Sequence, residues 1–305
     1  MKTFLYNTLV FLCMVNYTTA QNITSQLEQL VQKAVDHEYF SSVYVSDMCA
    51  ENLPDSLIPL LKQYETYPNY YVQRNIFYFY YEYARMSPDS SFKRRMMKHL
   101  LNACACPDSI ELSYACTQSI RLLRDFENSL FDQSMIDTIN KRVKIDDKNS
   151  LDFAYLSGKL YQYQMIPVIE EMLHKETWGA SKLKWNIILA RLGQKEGIDK
   201  VVESLKKRSM DGSKWVENTI FYTLQKPVID ILFDDLESNK TMSYKLIYGD
   251  AVPGEKIFAL IPARILRKLV KDFPKYDYDL SEPENLEIIR AWAMKHREDY
   301  EIISE

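Results

Sequence analysis

At 305 residues the chain is long enough for a sizeable core, and a net charge of −4 leaves no bulk field to recruit nucleic acid or an anionic membrane. Glycine is scarce, at 7, and proline modest, at 11, which suits helices and disfavours a turn-rich sheet protein. There is no G-x-S-x-G elbow, P-loop or G-x-G-x-x-G, and too little glycine for any Gly-rich phosphate cradle.

The chain opens with the features of a secretory signal. Lys2 is the positive start, Phe4 to Val15 the apolar run, and Thr18-Thr19-Ala20 a small-residue exit, so residues 1–20 are expected to be removed before Gln21. The apolar run is far below the ~20 residues needed to span a bilayer. The expected mature protein, 21–305, is a single helical-repeat domain that is secreted or periplasmic, with no transmembrane segment.

Ile23 to Tyr39 reads as a helix with Leu27, Leu30, Val31, Ala34 and Val35 on one stripe. Phe40 to Asn52 has no clear period and is expected to be a loop. Pro54-Asp55 opens a short helix that Pro68 stops. Tyr70 to Met86 is the most aromatic stretch, and Tyr78, Tyr80 and Tyr81 are candidate binding residues on it. A platform for sugar rings or peptide side chains competes there with a core helix whose tyrosine hydroxyls reach the rim. The core helix is the favoured reading. Asp89 to Ala105 follows, apolar inward, with Lys93, Arg94, Arg95 and Lys98 as a solvated basic face rather than a nucleic-acid patch. Ser109 to Phe126 and Leu130 to Val143 make another pair. Asp146 and Asp147 sit in a polar linker that lacks the alternating ligands and Gly turn of a calcium loop.

A period then becomes visible, in units 149–180, 181–212 and 213–243. Leu160, Leu192 and Leu224 stand 32 and 32 residues apart; Leu173, Leu205 and Leu236 stand 32 and 31 apart. Ser150, Ser181 and Ser213 are expected to open first helices, Gly193 to end one, and Pro167 and Pro227 to open second helices. A fixed period of this size implies stacked helix pairs, since one pair alone cannot bury its apolar faces.

The run Lys184-Trp185-Asn186-Ile187-Ile188-Leu189-Ala190-Arg191-Leu192-Gly193, followed by Gly197-Ile198 through Leu205, resembles a HEAT-like (armadillo-type) helical repeat of the secreted bacterial type. The resemblance covers about Asn149 to Ser238 and is one of fold. It implies an all-α protein, an α/α superhelix or solenoid of roughly seven stacked antiparallel helix pairs. The period is shorter than the ~40 residues usual in that family, and other helix-pair repeat classes fit the same residues.

After Leu236 the period breaks. Ser238 to Glu255 holds Gly249, Pro253 and Gly254 and is expected to be irregular, with Tyr244 and Tyr248 as further candidate binding residues. Residues 255–305 read as a closing cap. It has one helix over Ile257 to Phe273 and another opened by a Ser281–Glu284 capping box.

Cys49, Cys104, Cys106 and Cys116 remain once the leader is gone, an even count that suggests disulfides in an oxidising compartment. Cys104 with Cys116 is the favoured bridge, and Cys49 would then pair with Cys106. His37, His99, His174 and His296 make no H-x-x-x-H pair, and the neighbours Glu170-Glu171 and Asp234-Asp235 point ~100° apart on a helix. No catalytic, metal or cofactor site is therefore expected. The expected function is a secreted or periplasmic binding or scaffold protein for a protein or peptide partner, without nucleic acid. A glycan-active hydrolase or lyase on the same scaffold is the alternative.

Overall fold

The computed structural model describes residues 24–36, 42–51, 54–102, 110–145, 148–207, 214–238, 241–243 and 255–303. The fold is all-α, with one two-stranded ribbon, and the chain divides into two compact units, Met1–Leu156 and Ser157–Glu305.

The first unit holds α1 (24–35), α2 (Ser42–Glu51), α3 (Pro54–Lys62), α4 (Tyr70–Met86), α5 (Ser90–Asn102), α6 (Ile110–Leu123) and α7 (Gln133–Val143). It also holds the first part of α8 (Ser150–Lys159). The stretch expected to be a loop is α2. Its apolar positions 45, 48 and 49 fall on one helical face, and Val45, Met48 and Cys49 are buried. The intervening polar residues hid that stripe. α4 is the centre of the unit: α2, α5 and α6 pack on it, and α1 lays Leu27, Leu30, Val31 and Ala34 against Val72, Ile76 and Phe79. Asn69 caps α4 by accepting from the amides of Tyr71 and Val72, and Asp132 caps α7 by accepting from that of Met135. Helices therefore pack both on their sequence neighbours and on the next but one (α2 on α4, α4 on α6, α5 on α7), which is the stacking of an α/α solenoid.

The second unit repeats this logic more regularly. α9 (Ile166–Lys175), α10 (Gly179–Arg191), α11 (Lys195–Lys207), α12 (Lys214–Thr223) and α13 (Lys226–Leu236) alternate between two layers, α10 on α12 and α11 on α13. Pro167 and Pro227 stand in the first turns of α9 and α13, as expected. α10 is buried from Trp185 to Leu192 because α9, α11 and α12 surround it.

The turns between paired helices share one device. Tyr161 (φ 54°) and Gly193 (φ 78°) are left-handed, and the next amide, of Gln162 or Gln194, donates five residues back to Ser157 or Leu189. In the third turn Leu224 itself takes the left-handed position (φ 49°), donating to the Ile220 carbonyl, and Gln225 follows. The glutamines are therefore in register at spacings of 32 and 31, and the expected register of Leu160, Leu192 and Leu224 is corrected by one residue at Leu224. The left-handed position thus recurs at 161, 193 and 224, and its 31-residue second step matches that from Leu205 to Leu236. The expected serine cap at Ser181 is also corrected. α10 starts two residues earlier, where the Glu176 carboxylate takes the amides of Thr177 and Trp178. Ser213 lies outside the described residues.

After α13, β1 (Thr241–Ser243) pairs antiparallel with β2 (Glu255–Ile257), so the stretch expected to be irregular has a paired base. α14 (Leu260–Leu269) and α15 (Glu282–His296) close the unit. Ser281 and Glu284 form the expected capping box. Arg290 holds the end of α13 by donating to the Leu236 and Ser238 carbonyls, at 2.7 and 2.9 Å. Tyr300 reaches back to Asp230, with its hydroxyl 2.9 Å from the carboxylate.

Candidate functional site

The tightest packing in the regular repeats is between α10 and α11, and it creates a groove. Gly197 on α11 sits so close to α10 that an added Cβ would lie 2.8 Å from the Asn186 carbonyl oxygen, the Ala190 nitrogen and the Leu189 Cβ. With these backbones drawn together, α9, α10 and the start of α11 border an open groove of about 630 Å³. Leu173 and Leu189 give it an apolar floor. Beside Gln194 and Lys195, its polar lining holds pairs four residues apart, one per helix: Glu170 with His174, Lys182 with Asn186, Glu196 with Lys200.

The charges there are of both signs and partly uncommitted. Lys200 lies 3.4 Å from Glu203. Lys195, at the groove edge, is 2.5 Å from Asp199. Among the described residues, Glu170, Lys182 and Glu196 have no ion-pair partner. Asn186 donates to the Lys182 carbonyl at 2.8 Å, which fixes its amide and leaves its side-chain oxygen without a donor among the described residues. His174 Nδ1 lies 2.6 Å from the Glu170 carbonyl oxygen. The arrangement suits a chain carrying amides and charges of both signs above an apolar strip.

Sequence reading placed this stretch in the frame of the protein and the candidate residues elsewhere. The signal that marks the groove is the recurrence of polar i, i+4 pairs on three successive helices, which is legible only once the helices are known to face each other.

Of the candidates on α4, Tyr80 is fully buried. Its hydroxyl donates to Glu65 at 2.5 Å, and its ring stacks on His99 at 4.5 Å and 11°. His99 Nδ1 is 2.8 Å from the same carboxylate oxygen, at an angle too oblique for an aligned hydrogen bond. Burial pushes the Glu65 carboxyl up, but His99, Tyr80 and the Lys62 charge more than offset it and hold it below the usual carboxylate range. Burial and the adjacent carboxylate drive the Tyr80 phenol far up, so it stays a neutral donor. Tyr78 and Tyr81 are half-buried neighbours, with centroids 5.6 Å apart, and Tyr81 donates to Asp125 at 2.8 Å. The three tyrosines thus do not share one surface. Tyr244 and Tyr248 lie outside the described residues.

Cys49 is a free, buried thiol, which corrects its expected pairing with Cys106. It packs under α4 against the Phe79 carbonyl, and burial and the nearby Glu82 charge push the thiol up to about 12, with Tyr83 acting weakly against them. Cys116 is disulfide-bonded. Cys104 and Cys106 lie outside the described residues.

Among the described residues no three His, Cys, Asp or Glu side chains come together as a metal site, and no helix is long and apolar enough to cross a membrane. Comparison of the chain with protein-family models, with curated proteins and with solved structures finds no match.

Proposed function

We propose that the chain is a binding or scaffold protein of HEAT-like (armadillo-type) build that receives an extended protein segment in the groove of α9, α10 and α11. The observation that carries this reading is the groove's lining. An apolar floor of Leu173 and Leu189 lies beside Glu170, Lys182 and Glu196, which have no ion-pair partner among the described residues, and the fixed Asn186 amide. A peptide offers side chains and backbone amides to match each of these. Rigid helix pairs hold the lining in place, so little ordering cost falls on the protein. The leader-like residues 1–20 and the disulfide at Cys116 support an exported, oxidising location, secreted or periplasmic.

The test is selection of displayed random peptides on the mature protein, followed by binding measurements on a Lys182→Glu, Glu196→Lys double variant. Peptides should be enriched, and the variant should bind them at least about tenfold more weakly, a loss of about 1.4 kcal/mol. Failure to enrich any peptide, or equal binding by the variant, contradicts the reading. Turnover of a polysaccharide by the mature protein would favour a glycan-active enzyme instead.

A further inference from the structure

A second recess, in the first unit, has a different chemistry. It lies between the end of α3 and one face of α5, has a volume of about 310 Å³, and is lined by Ile58, Pro59, Lys62, Arg95, Met96, Lys98 and His99. Four of these seven are basic or imidazole side chains, and none is acidic.

The basic face of α5 divides into two parts with different jobs. Arg94 donates to the Leu130 and Ser129 carbonyls and so belongs to the packing of the turn before α7. Lys98 is 2.7 Å from Asp132, the cap of α7. Arg95 has neither role. Its guanidinium lies 5.2 Å from the centre of the Phe92 ring and, among the described residues, has no carboxylate partner. Lys62, across the recess on α3, is exposed and likewise has no ion-pair partner among the described residues. Two cations with no carboxylate in ion-pair distance among the described residues therefore border one concavity, although Glu65 feels the Lys62 charge and Asp89 that of Arg95.

His99 is prepared in a way the lysines are not. Tyr80 stacks on one ring face and Glu65 lies 2.8 Å from Nδ1, so ring position and the Nδ1 edge are both set. Nε2 has no protein partner among the described residues. Glu65 accepts from Tyr80 and is not among the residues that line the recess.

We propose that the recess between α3 and α5 is an anion site for a tetrahedral oxyanion, a phosphate or sulfate monoester of a small molecule. Lys62 and Arg95 supply the charge, and His99, held by Tyr80 and Glu65, supplies a positioned ring edge. Arg95 offers the planar fork that matches two oxyanion oxygens, and Lys62 a point charge. Ile58, Pro59 and Met96 give the organic part of the ester an apolar wall. The site is independent of the α9–α11 groove, so each can fail without the other.

The test is isothermal titration of the full mature chain at fixed ionic strength with inorganic phosphate, inorganic sulfate, glucose 6-phosphate, glucose 6-sulfate and uncharged glucose. The same series is run on Lys62→Gln, Arg95→Gln and on His99→Gln. At least one ester should bind with a dissociation constant at or below about 1 mM, and the double variant should weaken it at least about tenfold. His99→Gln should weaken it as well, without lowering the binding of glucose. Preference for one ester identifies which oxyanion the site takes. The exchanged side chains of the double variant are exposed, so an unchanged melting temperature without ligand separates loss of binding from loss of folding. No heat with any anion, equal binding of glucose, or equal binding by the double variant overturns the proposal.

Discussion

Gly197 rests directly on Asn186: its Cα faces the Asn186 carbonyl so closely that a methyl group there would stand 2.8 Å from the oxygen. The contact is backbone on both sides, so no side chain can swing away. Gly197→Ala gains about 1 kcal/mol of helix propensity, but overpacking against a rigid neighbour costs more, about 1–3 kcal/mol. The expected net result is a fall in melting temperature together with weaker peptide binding, since α10 and α11 carry the groove. Calorimetry on the variant checks it, and an unchanged or raised melting temperature would show that the two helices separate freely.

Arg191 couples successive hairpins. It is buried, donates to the Tyr222 carbonyl at 2.8 Å, and lies 4.4 Å from the Tyr161 ring centre, a ring that the left-handed backbone at Tyr161 brings over it. Arg191→Met keeps most of the volume but leaves that carbonyl without its donor, a loss of about 1–3 kcal/mol. Chemical denaturation should show a lower midpoint with an unchanged slope.

Much of this was legible beforehand. The 32-residue period located the hairpins because leucines at fixed offsets must pack together, and Gly193, Pro167 and Pro227 fixed several ends. Three features were not legible. α2 is a helix whose buried stripe of Val45, Met48 and Cys49 is interrupted by Ser46 and Asp47. Leu224 takes a left-handed turn that its side chain does not advertise. The groove depends on which polar pairs face one another across α9, α10 and α11, and a one-dimensional pattern carries no facing information. The aromatic run on α4 reads from sequence first as a core helix with hydroxyls at the rim, and α4 is the central helix of its unit with Tyr80 inside.

Cys49 should be silent in the native protein. Its thiol is pushed up to about 12, so no useful thiolate fraction exists near neutrality. An alkylating reagent should label it only after denaturation, while non-reduced digests should show Cys116 cross-linked, with Cys104 as the expected partner. The sign of the pH effect follows from the raised folded value. The contribution is complete below the unfolded thiol's pKa, near 9, and is lost as pH rises to about 12. Cys49→Ala should flatten stability against pH in that window. Rapid native labelling would contradict the burial.

Tyr80 and Glu65 behave in the opposite sense on the acid side. Because the Glu65 carboxyl is held below its usual range, its contribution is present above the unfolded value of 4.5 and is lost as pH falls through the lower folded value. Tyr80→Phe removes one of the bonds that hold it down, and should cost about 1–2 kcal/mol near neutrality. In that variant the acid unfolding limb should also be shallower. An unchanged acid limb would mean that the hydroxyl does not stabilise the carboxylate.

The groove of α9, α10 and α11 is the centre of the account, and site-directed photo-crosslinking reads it most directly. A photoreactive residue is placed at Lys182 in one protein and at Tyr78 in another, and each is irradiated with a selected peptide. The account predicts a covalent adduct at position 182 that excess unlabelled peptide suppresses, and none at position 78. Crosslinking at position 78 with none at 182 would move the binding surface to α4 and contradict it.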